Sequence, residues 1–367
     1  MENHTAKPWP AYAKFSIILT GIVSLCAILY VGRDIIVPFL FATVIAILLN
    51  PVVNFLHRKK MNRILAIALS VLGTLVITIG LLYFIVSQAS MLSDSFPQFK
   101  IRFNQITSEL VDWVSANMNI PKDKILAWVK DTQKKVSGNL APMISSAFLT
   151  IGGVLALILL LPVYIFMILF YKPLLLEFLS RLATTGRHKV MIDILEQTKA
   201  LVQSYLAGLL IEAAIVATLN SVALLMLGIQ YAILLGIVGA LLNMIPYIGG
   251  IIAISMPMLM AVATKEPIYA LWVFGAYLLV QFIDNNFIVP KIVASKVQVN
   301  ALVSIIVVLI GGALWGVAGM FLSLPLTAIL KVIFDRVPDL APFGYLIGDD
   351  QPEVKRPVIK NNKAVKK

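Results

Sequence analysis

Two stretches decide the reading of this chain. The first is Leu242-Asn243-Met244-Ile245-Pro246-Tyr247-Ile248-Gly249-Gly250, and the second is Gln281-Phe282-Ile283-Asp284-Asn285-Asn286-Phe287-Ile288-Val289-Pro290. Both set helix breakers and amide or acid side chains inside sequence that is otherwise apolar enough to span a bilayer. Hydrocarbon tolerates unpaired backbone groups only where protein or a water-filled cavity satisfies them. Proline, paired glycines and a carboxylate therefore imply an internal polar site, the pattern expected where membrane helices are broken around a translocated solute.

Composition supports the membrane setting. The chain is 60% hydrophobic and 13% charged, with mean hydropathy +0.93, whereas a soluble domain is roughly half apolar and a quarter charged. The net charge of +12 sits in short connecting loops and the C-terminal tail, as in anchors that face anionic lipid headgroups. No folded basic domain is present, which argues against nucleic acid as a partner. Cys26 stands alone, so no intrachain disulfide can form. His4, His57 and His188 show no metal-ligand spacing.

Working outward gives an all-α polytopic integral membrane protein. It has about eight membrane helices, or five to six spans plus two re-entrant hairpins, with an extramembrane helical segment. Residues 1–14 form a polar N-terminus expected in the cytoplasm, and residues 15–86 hold three spans, the first retained and not cleaved as a signal peptide. Between the second and third spans lie Arg58, Lys59, Lys60 and Arg63, a density of positive charge that places this loop in the cytoplasm. Residues 87–142 change character. Charges become frequent, Phe96, Phe99, Phe103, Ile106, Leu110 and Trp113 recur at helical spacing, and Asn119-Ile120-Pro121 breaks the run into two amphipathic helices. Parity puts this segment, with Trp113 and Trp128, outside, as an arm, a lid or a surface-lying hairpin.

A fourth span follows at 143–171, with Pro162 expected to kink it. Residues 172–200 form a cytoplasmic, largely helical connector, and residues 201–336 form a transport core of broken helices. Residues 337–367 form a basic cytoplasmic tail. Within the core, the runs 231–263 and 299–333 are each interrupted, the second by Gly311-Gly312-Ala313-Leu314-Trp315-Gly316-Val317-Ala318-Gly319. Each half is short for a bilayer about 30 Å thick. The expectation is two hairpins of opposite orientation, entering from outside and inside, with tips at Tyr247 and Trp315, bracketing Asp284.

Between positions 202 and 260 the single charge is Glu212. Intramembrane carboxylates are costly and normally face a cavity, a partner or a proton. Asp284 has Gln281, Asn285 and Asn286 beside it, residues able to coordinate a cation or hydrogen-bond a polyol. Asn243, Pro246, Tyr247 and Gly249 supply freed carbonyls, exposed N–H groups and an amide at half-helix ends. The structural alternative for all of them is helix-to-helix hydrogen bonding without a ligand. Enzyme signatures such as HExxH, GxSxG and the P-loop are missing from the sequence. No cofactor is expected.

Asn243 to Gly249 and the run Asp284-Asn285-Asn286-Phe287-Ile288-Val289-Pro290-Lys291-Ile292-Val293 resemble the two signature segments of the autoinducer-2 exporter family. Gly311 to Gly319 followed by Leu324-Pro325-Leu326 resembles its third. The chain departs from that pattern at Asp284, where glutamate is frequent, at Gly250, where proline is, and at Ala294, where glycine is. The resemblance implies a bacterial inner-membrane permease, multi-pass and homo-oligomeric, that exports a small polar solute such as autoinducer-2 or exchanges cations and protons. A non-transporting membrane scaffold or regulatory protein is the reading from another class.

Overall fold

The computed structural model describes residues 10–94, 96–118, 121–124, 126–127, 131, 160–182, 188–245, 249–292 and 299–349. The expectations that concern Trp128, Pro246, Tyr247, Ala294, positions 143–159 and the tail beyond position 349 lie outside the described residues. Among the described residues every regular element is helical, as an all-α polytopic membrane protein requires. The order is α1 (Ala11–Val31), α2 (Arg33–Arg58), α3 (Arg63–Asp94), α4 (Phe96–Met118), α5 (Leu160–Phe170), α6 (Lys172–Leu182) and α7 (His188–Met226). There follow α8 (Ala232–Asn243), α9 (Gly249–Thr264), α10 (Ile268–Ile283), α11 (Val289–Ile292), α12 (Ala301–Phe334) and α13 (Ala341–Ile347).

Helices α1, α2, α3, α7, the run Ile268–Ile292 and α12 are each long and apolar enough to cross a membrane. For α12 that length is deceptive. Trp315 and Gly316 leave helical geometry, with φ/ψ of −133°/15° and 62°/−143°, and the chain folds back on itself. A Cβ placed on Gly311 would stand 2.4 Å from the carbonyl oxygen of Gly319, although eight residues of straight helix would separate the two by about 12 Å. The ends agree: Asn300 caps α12 through Val303 N–H at 2.9 Å, and its side chain reaches the carbonyls of Leu346, Ile347 and Gly348, just beyond the far end. Helices α8 and α9 form another hairpin, the first in chain order, and α12 is the second. Gly239 faces Ala253 across it, and Gly249 is pressed onto the Leu242 carbonyl. The arms run to about 18 and 24 Å in the first hairpin and about 21 and 27 Å in the second, each short of a full crossing.

Helix α7 is continuous for 39 residues, so the connector and the following span are one rod with no break near position 200. Its C-terminal half packs closely on α8, where Gly236 meets Ser221. Small residues at such contacts let backbones approach and gain dispersion energy where lipid offers no hydrophobic driving force. Met244, at the first hairpin tip, and Trp315, at the second, pack against one buried cluster of Val202, Tyr205, Leu206, Leu209 and Leu322. Helix α4 leans against α9 and buries Val111.

The kink expected at Pro162 would fall on the turn before Leu160, outside the described residues. Helices α5 and α6 meet at 62° around Tyr171, because Pro173 has no N–H to give the Leu169 carbonyl four residues earlier. Arg63 supplies the missing donor, its Nη2 lying 3.1 Å from Leu169 O and 3.4 Å from Phe170 O.

Candidate solute site

Asp284 closes α10 and opens a single π-helical turn, Asp284–Ile288. Such turns widen the helix by one residue, release carbonyls from the regular ladder and occur frequently at functional sites. The side chain is 1% exposed. Its Oδ2 accepts a hydrogen bond from Asn243 Nδ2 at 3.0 Å, and Oδ1 has no partner among the described residues. Asn243 is the last residue of α8, so the amide that holds the acid sits where the first hairpin breaks. The other side of the break faces the same place: a Cβ on Gly250 would lie 3.6 Å from both Asn243 Oδ1 and Gln281 Oε1.

Glu212 enters from α7 and is also buried. Its carboxylate is within electrostatic range of Asp284 and of the Tyr205 hydroxyl. Distances along the helices explain the meeting. Asn243, Glu212 and Asp284 lie about 17, 21 and 24 Å from Ala232, Met226 and Ile268, the neighbouring helix ends at the start of the hairpin. An apolar wall of Val216, Ala240, Val280 and Ile288 packs beside them, which lowers the local dielectric and strengthens every polar contact inside.

Of the residues singled out from sequence, the structure thus gathers Glu212 from α7, Asn243 from α8, Gly249 from α9, and Gln281 and Asp284 from the end of α10. Asn285 joins at the margin, accepting from Gln281 Nε2 at 3.2 Å. Asn286 does not join: it is exposed, and its amide donates to the Phe282 carbonyl in the preceding turn at 2.8 Å. Three polar residues escaped the sequence reading. Tyr205 lies beside Glu212, the Tyr277 hydroxyl stands against Gly239, and Asn220 is 3% exposed. Tyr277 Oη and Asn220 Oδ1 are buried without partners among the described residues. A signal for two of them was present. Tyr205 precedes Glu212 and Tyr277 precedes Asp284 by seven residues, a spacing that stacks each pair on one helix face.

Known transport proteins resemble this chain along most of its length. The chain is 24% identical over 346 residues to "Putative transport protein YhhT" of Escherichia coli, covering 92% of this chain and 95% of that one. It is 28% identical over 316 residues to YueF of Bacillus subtilis, which bears the same description, with 81% and 82% covered. It is 26% identical over 335 residues to the AI-2 transport protein TqsA of Escherichia coli, with 89% and 93% covered. The sequence profile of the AI-2E family transporters matches residues 18–339. A polytopic helical chain matched along nearly its whole length by that profile belongs to the AI-2E transporter family and is a membrane transport protein.

Proposed function

We propose that this protein is a gradient-driven permease of the bacterial inner membrane. It carries a small polar solute or a cation past Asp284, and proton or cation movement is coupled through Asp284 and Glu212. The observation that carries the reading is the carboxylate of Asp284, buried between broken helices with one oxygen on Asn243 and the other buried without a partner among the described residues. An ionised acid in that setting calls for a counter-charge or a proton, and a translocated species supplies either. Gln281, Asn285, Asn243, Pro246, Tyr247 and Gly249 are assigned to the same solute. The two hairpins enter the membrane from opposite faces and form the gates on either side.

Autoinducer-2 is the first candidate solute because a relative over nearly the whole length is named for its transport. Export is the assigned direction. The bacterial sources of the relatives support the inner membrane, and a homo-oligomer surrounded by lipid is the assigned assembly. Purified protein reconstituted in liposomes tests the reading. Flux of autoinducer-2, sodium or protons is expected under an imposed ion gradient and falls in Asp284→Asn. Vesicles that move none of the three under any gradient would establish the scaffold alternative instead.

A further inference from the structure

At the other end of α7 a second polar region lies apart from the carboxylates. A cavity of about 300 Å³ opens between α2, α3 and the α5–α6 bend, lined by Asn50, Asn54, His57, Arg63 and Lys172. A neighbouring cavity of about 380 Å³ shares Asn50 and Asn54 and adds Arg58 and Lys199. Neither lining includes an aspartate or glutamate. Lys172 is half-buried and lies within range of Lys199 and Arg63, two like charges. Such a cluster is unfavourable unless an anion compensates it.

The donors are already oriented. Lys172 Nζ gives one hydrogen to Asn50 Oδ1 at 2.8 Å and keeps two. Arg63 spends Nη2 on the carbonyls of the bend and keeps the rest of its fork. Asn50 is 6% exposed and lines the cavity. His57 donates Nδ1–H to the Met61 carbonyl at 3.0 Å, which fixes the ring. Guanidinium, ammonium and amide donors around one cavity match the oxygens of a phosphate group. Val53, Leu169 and Leu176 give the same cavity an apolar side, as expected of basic pockets between membrane helices that take lipid headgroups.

We propose that this cavity binds a phosphate-bearing anion, with Lys172 and Arg63 as its charged ligands and Lys199 at its margin. The proposal is independent of what crosses the membrane at Asp284. Delipidated full-length protein in neutral detergent is titrated with phosphatidylglycerol, phosphatidylcholine and inorganic phosphate, following the unfolding midpoint and lipid adducts by native mass spectrometry. Phosphatidylglycerol is expected to raise the midpoint and phosphatidylcholine to leave it in place. Lys172→Gln, which keeps a donor for Asn50, weakens the apparent affinity by about tenfold. Lys199→Gln, at an exposed position, weakens it less and carries the test if Lys172→Gln is not recovered folded. Arg181→Gln, an exposed partner of Glu177 outside the cavity, leaves binding unchanged. A response to phosphatidylglycerol alone assigns the ligand to a headgroup, and a response to inorganic phosphate as well assigns it to a free anion. No response to either, equal response to phosphatidylcholine, or wild-type affinity in the folded lysine variants overturns the site.

Discussion

The two hairpins of the core are alike in outline and opposite in chemistry. In both, small residues bring antiparallel arms together, Gly239 against Ala253 in α8–α9 and Gly311 against Gly319 in α12. Both tips reach the same apolar cluster on α7. The first hairpin loses helical structure after Asn243 and presents an amide to Asp284. The second turns on two residues and presents Trp315, whose indole N–H donates to the Leu29 carbonyl of α1 at 2.9 Å, away from both acids. A hairpin of this shape is thus a packing solution in its own right, and the polar chemistry depends on which side chain stands at the break.

Variants break or sharpen that contrast. The largest effect is expected at the acid that the first hairpin touches. Asp284→Asn keeps volume and hydrogen bonding but removes the charge, and should lower liposome flux by about a hundredfold (about 2.7 kcal/mol) with expression intact. Glu212→Gln should lower it less. Undiminished flux in Asp284→Asn would reduce the first hairpin to the packing role of the second.

The next effect is conformational and belongs to the second hairpin. Gly316 has φ +62° with open space around it, so Gly316→Ala meets no clash and reads backbone strain alone. A loss of about 1–3 kcal/mol in stability is expected, seen as a lower unfolding midpoint in detergent. An unchanged midpoint would mean that the turn tolerates another conformation.

Asn243→Ala removes the amide donor to Asp284, and a loss of about tenfold in flux, about 1.4 kcal/mol, is expected. The counterpart in the second hairpin, Trp315→Phe, keeps the ring packing and deletes one hydrogen bond. It should cost about 0.6–1 kcal/mol of stability and leave flux near wild type. Equal flux losses in Asn243→Ala and Trp315→Phe would erase the distinction between the tips. The smallest effect is expected where the second hairpin ends. Arg336, partly buried, pairs with the exposed Asp193 of α7 at 2.6 Å, so Arg336→Gln should lower the unfolding midpoint only slightly, and less at high salt.

Much of this was legible before any tertiary contact was known, because the bilayer acts on sequence locally. A run must be apolar to lie in hydrocarbon and about 20 residues long to cross it. Composition and run length alone therefore determined the polytopic helical class, the interrupted runs around Asn243 and Trp315, and Asp284 and Glu212 as acids out of place. The motif segments likewise pointed to the family that the whole-chain match establishes.

What required the tertiary structure were relations between side chains distant in sequence. Position 243 and position 284 meet because a hairpin and a span present them at one depth, and no local pattern encodes that depth. Asn285 and Asn286 are adjacent in sequence, yet the π turn leaves one beside Gln281 and returns the other to its own helix. Pro173 frees the Leu169 carbonyl, and Arg63, more than a hundred residues earlier, donates to it and to the Phe170 carbonyl. Sequence sets which groups cannot be left unsatisfied, and only the packed fold decides which partner satisfies them.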